Sequence, residues 1–104
     1  MLERLMILEA VDGEIKLTAV PNGATAHIPQ ILDIQEGDSV KLYVGDVLAS
    51  ELTVAGDVVF PITFKVSRQV LLDFVEQDVD FTYTVVRGAN VQVSPPAHYR
   101  ISHS

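Results

Sequence analysis

Cysteine is absent from the 104 residues, which excludes a disulfide framework, a zinc–thiolate centre and a cysteine nucleophile. Tryptophan is absent too, and tyrosine and phenylalanine number only 3 and 4, so there is little material for an aromatic platform that stacks on sugars. Basic residues are scarce: 7 Lys and Arg stand against 14 Asp and Glu, for a net charge of −7. A phosphate backbone or an anionic membrane repels such a chain, and no cluster of Lys or Arg offsets the repulsion locally. Long hydrophobic runs are missing as well. The apolar stretch near the start is Leu5-Met6-Ile7-Leu8, interrupted at Glu9, shorter than the core of a signal peptide or the 18 or more residues of a membrane span. With no export signal of its own, the chain is expected to be either intracellular or a piece of something longer.

What is present is a high apolar fraction, 48%, in a chain long enough for one domain with its own core. The apolar residues alternate. In Val58-Val59-Phe60-Pro61-Ile62-Thr63-Phe64-Lys65-Val66 the even positions are large and apolar, while Pro, Thr and Lys fall on odd ones. Val79–Val86 places Val79, Phe81, Tyr83 and Val85 on one face, and Ser39–Val44 does the same with Val40, Leu42 and Val44. Alternation of this kind marks strands with one buried face. Weaker strands are expected at Leu5–Glu9, Glu14–Leu17, Thr25–Ile28 and Leu48–Val54, the last with Leu48, Ser50, Leu52 and Val54 in one register. A final strand covers His98–Ile101, with Tyr99 and Ile101 sharing a face.

Turn residues separate these segments. Asp12-Gly13 and Asn22-Gly23 are hairpin-type pairs, Gly-Asp pairs stand at 37–38, 45–46 and 56–57, and Gly88-Ala89-Asn90 follows the Val79–Val86 strand. One segment breaks the period. Val70, Leu71, Phe74 and Val75 fit a helical face over about residues 68–76, with Ser67 as its N-cap, although Val70, Leu72 and Phe74 also alternate as in a strand. Pro61 cannot donate to a ladder, so its strand is expected at an edge or a bulge, and such an edge is open to pairing with another chain. The expected fold is all-β, a two-sheet antiparallel sandwich with one short helix between strands.

Taken in order, Leu8–Gly13, Ala24-Thr25-Ala26-His27-Ile28-Pro29, Gly37–Tyr43, the proline-bearing strand Phe60–Val66, the helical Val70-Leu71 and the tyrosine-bearing Val79–Val85 resemble the tandem immunoglobulin-like modules of large bacterial surface and secreted proteins. The resemblance covers about residues 5–101. It implies an immunoglobulin-like sandwich repeated along a longer exported chain as a spacer or adhesive arm. It also implies that Tyr83 is a corner tyrosine, bonding through its hydroxyl to nearby backbone, and that Val85 takes the core position held by cysteine in antibody domains. The chain departs from antibody domains in lacking both the cysteine pair and tryptophan.

Few residues suggest chemistry. His27, His98 and His103 lack the further ligands at defined spacing that a metal site uses, and ordinary surface or half-buried histidines account for them. Glu76, Asp78 and Asp80 cluster before a strong strand, as calcium-binding carboxylates do between sandwich modules. No Asp-x-Asp-x-Asp-Gly loop accompanies them, and the solvent face of a strand explains Asp78 and Asp80 equally. Serines 39, 50, 67, 94, 102 and 104 lack the nucleophile-elbow context, and the glycines are scattered singly rather than gathered into a phosphate loop. No catalytic, cofactor or metal residue is therefore assigned.

The segment Gly88–Ser104 is too apolar for a plain loop, with Val91, Val93, Pro95, Pro96, Tyr99 and Ile101. It reads as a long irregular connection feeding the last strand. The competing reading has Tyr43, Tyr99 and their apolar neighbours forming a partner surface. Two functions follow: a non-catalytic structural or adhesive module joined to neighbours in a longer surface or secreted chain, or a stand-alone acidic accessory or inhibitory factor. The second would be steered towards a basic protein partner by the net charge.

Overall fold

The computed structural model describes residues 2–31, 34–56 and 62–103. The strands are β1 (Met6–Ile7), β2 (Glu14–Lys16), β3 (Ala24–Ile28), β4 (Ser39–Val44), β5 (Val47–Thr53), β6 (Ile62–Val66), β7 (Gln77–Arg87), β8 (Asn90–Val93) and β9 (Ala97–Ser102). A 3-10 turn, Leu17–Ala19, follows β2, and one short helix, α1 (Arg68–Leu72), lies between β6 and β7. The chain is thus mostly β, as its alternation demands. Among the described residues no helix is long and apolar enough to cross a membrane. Residues 57–60 and Pro61 lie outside the described residues, and with them the first half of the expected proline-bearing strand and its Gly56-Asp57 turn.

Two sheets form. One is antiparallel with the order β1-β3-β6, and the other runs β2-β9-β7-β4-β5, with β8 also paired to β7. All pairings in the second sheet are antiparallel except β2 with β9, which is parallel. The strongest alternations become the middle of this sheet: Val40, Leu42 and Val44 of β4 are fully buried, as are Phe81 and Tyr83 of β7. Ala24, Ala26 and Ile28 of β3 and Val66 of β6 are buried in the same core from the other sheet. Each large aliphatic removed from water in this way is worth about 1.5–3 kcal/mol.

Two tyrosines tie the N-terminal segment to the larger sheet. The Tyr83 hydroxyl donates to the Glu3 carbonyl, and the Ile7 N–H donates to the Tyr99 hydroxyl at 3.1 Å. The Tyr99 ring meets Phe81 edge-on, 5.5 Å between centroids and 88° between planes. Tyr83 is therefore not a corner tyrosine bonded to neighbouring backbone: its acceptor lies 80 residues upstream. The inward position expected for Tyr83 holds, and burial pushes its phenol pKa up. Glu9 closes the adjoining turn by accepting from the Thr25 amide at 2.8 Å and the Thr25 hydroxyl at 2.9 Å. Burial pushes the Glu9 carboxyl up, but these bonds outweigh it and hold the group below its ordinary value.

Four local expectations need correction. The helix stops at Leu72 instead of running to 76, because the Glu76 N–H is drawn to the Ile101 carbonyl at 2.6 Å and Glu76 turns to φ 64°. Sheet pairing thus takes a backbone group that further helix would need. Its start is as expected, with Ser67 Oγ accepting from the Val70 N–H. Asn22-Gly23 does not make a hairpin. Val20-Pro21-Asn22-Gly23 is a single turn closed by the Gly23 N–H on the Val20 carbonyl, and a Cβ on Gly23 would lie 2.3 Å from the Val66 carbonyl oxygen. In β5 a bulge breaks the register: Ser50 lies opposite Leu42 but Leu48 lies opposite Tyr43, so Leu48 leaves the row of Ser50 and Leu52 and is exposed. The fourth correction is β8 itself, a strand where an irregular connection was expected.

Candidate binding surface

β8 exists because β7 is too long for one neighbour on that side. At 11 residues β7 extends to about 37 Å. Its edge is served first by β8, along 84–87, and then by β9, along 77–81. Between them lie Ser94, Pro95 and Pro96, and the two prolines have no N–H to give a ladder. Ser94 bridges the gap. Its N–H donates to the Tyr83 carbonyl at 2.9 Å, and its Oγ accepts from the Tyr83 N–H at 3.0 Å in place of a main-chain carbonyl. The other end of β8 is a two-residue loop, Gly88-Ala89, with Gly88 at φ 57°. Positive φ at the first loop residue alone is the pattern of a II′ hairpin and calls for glycine there.

The consequence is a hairpin end with little covering it. β2 pairs with β9 and does not reach β8, so among the described residues β8 pairs only with β7. All four of its residues are exposed, including Val91 at 58% and Val93 at 62%. Beneath the hairpin lies a groove of about 480 Å³ lined by Ile31, Gln35, Val85, Arg87, Asn90 and Gln92, with Val91 at its rim. Among the described residues its walls are aliphatic and amide, apart from the Arg87 cation.

That cation is held in place. Arg87 Nε donates to Asp38 Oδ1 at 3.0 Å, and Arg87 Nη2 donates to Asp38 Oδ2 at 2.8 Å, a two-pronged pair with Asp38 almost fully buried. The Gln35 N–H adds a bond to Oδ2 at 2.9 Å. The Arg87 guanidinium, and then the Gln35 amide, hold the Asp38 carboxyl below its ordinary value despite burial. The pair therefore joins the end of β7 to the loop before β4 and shapes one wall of the groove.

The residues nominated by the sequence fall elsewhere. Asp78 and Asp80 stand exposed on β7, opposite Arg100 and His98 of β9. His98 Nδ1 lies 2.8 Å from Asp80 Oδ1, and Arg100 reaches Glu76 at 3.4 Å and Asp78 at 3.9 Å. The three carboxylates thus face Arg100 or His98 on the next strand. His27 sits on β3 in the other sheet, and His103 follows β9. Among the described residues no three His, Asp or Glu side chains are grouped to hold a metal ion. Of the serines, Ser67 caps α1, Ser94 bridges β7, and Ser50 Oγ donates to the Lys65 carbonyl. Tyr43 and Tyr99 do not share a surface. Tyr43 pairs with Thr82 and Tyr99 with Val79, and these adjacent parities point to opposite faces of the sheet.

Charge is also divided along the chain. All 14 acidic residues precede Phe81, whereas residues 81–104 carry Arg87 and Arg100 and no carboxylate. The hairpin end, residues 84–93, therefore carries no carboxylate of its own. No family model matches the chain, and neither the curated proteins nor the solved structures contain a match to it.

Proposed function

We propose that the chain is a non-catalytic immunoglobulin-like module that engages a protein partner through the β7–β8 hairpin end, as a binding or adhesive unit of a longer surface or secreted protein. The strand order supports the sandwich assignment. On this reading β1-β3-β6 corresponds to the strand order A-B-E, and β9-β7-β4 to G-F-C, with β5 beside them. The first strand is divided between the sheets, since β1 pairs with β3 while β2 crosses to lie beside β9.

The observation that carries the binding assignment is the exposed pair Val91 and Val93 on a strand uncovered on one side. Exposed apolar residues are ordinary when scattered, but here two stand at alternate positions of one uncovered strand, and the first of them, Val91, borders the groove. Chemical cross-linking from the source cell, followed by mass spectrometry, tests the assignment. The double variant Val91→Asp/Val93→Asp is expected to lose the partners that the wild type captures. Met6→Asp/Leu8→Asp, altering exposed apolar residues of the first strand region, is expected to keep them. Equal capture by wild type and the hairpin variant would remove the hairpin as the partner surface.

A further inference from the structure

The main chain of β8 has a direction as well as an edge. In an antiparallel pair, residues alternate between those that exchange hydrogen bonds with the partner and those whose N–H and C=O point away from it. Ser94 bonds to Tyr83, which sets the phase. Counting back by twos, Gln92 opposite Val85 and Asn90 opposite Arg87 also bond inward. Val91 and Val93 therefore turn their N–H and C=O outward, two donors and two acceptors spaced for another strand.

Sheet edges are normally defended by charge, proline, a bulge or a covering segment. The opposite edge of the same sheet is defended: β5 carries a bulge and Glu51, and Ser50 ties it to the Lys65 carbonyl of β6. β8 is Asn-Val-Gln-Val, with no charge, bulge or proline inside it. Three of its four residues, Asn90, Val91 and Gln92, also line the groove. An added strand would thus find main-chain bonds and a side-chain recess together, the combination by which strand addition acquires both affinity and selectivity.

We propose that β8 accepts one extended, uncharged segment of a protein partner by strand addition, with an aliphatic side chain of that segment seated in the groove against Val85 and Ile31. The proposal rests on the reading of the hairpin as a partner surface and specifies how that surface works. Charge selects the occupant. Among the described residues the ion pair at the groove is Arg87 with Asp38, and the other lining groups are amides and aliphatics. A charged side chain entering there would lose water without gaining a counter-ion. A second copy of the chain is a poorer fit. Two bodies of net charge −7 would meet over a four-residue edge of about 14 Å, whereas stable interfaces bury about 1,200–2,000 Å².

The test begins with a phage library of random twelve-residue peptides panned on the immobilised full chain, followed by synthesis of the most enriched sequences. Uncharged peptides with alternating aliphatic residues are expected. Their binding should slow hydrogen exchange at the Val91 and Val93 amides and change Gln92, already bonded inward, much less. Val93→Pro deletes an outward N–H and leaves the β7 ladder intact, and should weaken the peptides by about tenfold or more. Val93→Thr, which keeps the N–H and the branched side chain, should bind as the wild type does. The exchange readout needs no variant, so a misfolded Val93→Pro would not shelter the proposal. Charged consensus peptides, no enrichment, unchanged exchange at Val91 and Val93, or self-association through β8 in place of peptide binding would each overturn it. If Val91→Asp/Val93→Asp abolishes partner capture while Val93→Pro keeps full peptide affinity, the partner surface stands and strand addition falls.

Discussion

Asp38 and Ser94 show how single side chains set the shape of the hairpin end. Asp38 would be a costly buried anion alone, and two donors from Arg87 and one from Gln35 make it stable there. Its folded pKa lies below its ordinary value of 3.8, so its contribution to stability is present above that value and lost as pH falls through the lower, folded one. Urea unfolding between pH 7 and pH 2.5 should show a steep loss of stability below about pH 4 in the wild type. In Asp38→Asn that part of the acid slope should be absent, and stability at pH 7 should be lower. An identical acid slope in both proteins would mean that the pair does not stabilise the fold. Ser94 has a different role: it supplies a side-chain acceptor where two prolines interrupt the ladder. Neither role is legible in the sequence. Asp38 reads there as half of a Gly-Asp turn, and its partner is 49 residues away.

Among the elements, β4 and β7 were the most legible, because their alternation is long and both expected registers match the buried rows. The bulge in β5 was not, since alternation from Leu48 to Val54 looks unbroken until pairing with β4 displaces Leu48. The helix was legible at its start and not at its end. Ser67 acts locally, on an amide three residues away, while the stop depends on a hydrogen bond to β9. Ser67→Ala should therefore cost about 0.5–1 kcal/mol in urea unfolding, the size expected for an N-cap in a short exposed helix. A change within error would show that α1 is held by burial of Leu71 and not by its cap. β8 was missed for a related reason. Two valines at alternate positions are too short a pattern to outweigh the prolines that follow, and only the length of β7 supplies their partner.

At the scale of the whole molecule, the two sheets share one core and are tied through the N-terminal segment. Tyr83 and Tyr99 project from the larger sheet, and their hydroxyls bond to Glu3 and Ile7. Small domains with a single core unfold as one unit. Tyrosine fluorescence, which reports these inter-sheet ties, and far-UV circular dichroism, which reports the strands, should give coincident urea transitions. Separate midpoints would show that the three-stranded sheet opens independently.

The sequence by itself determined the class of fold, the place of most strands, the inward row of β7 and the helix start. These depend on alternation and on bonds between near neighbours, which are written locally. Only the tertiary structure decided that β8 is a strand, that Tyr83 reaches Glu3, that Tyr43 and Tyr99 lie on opposite faces, and that Asp38 meets Arg87. Each depends on which residues pairing brings opposite one another, and sheet register joins positions tens of residues apart for which no local pattern exists.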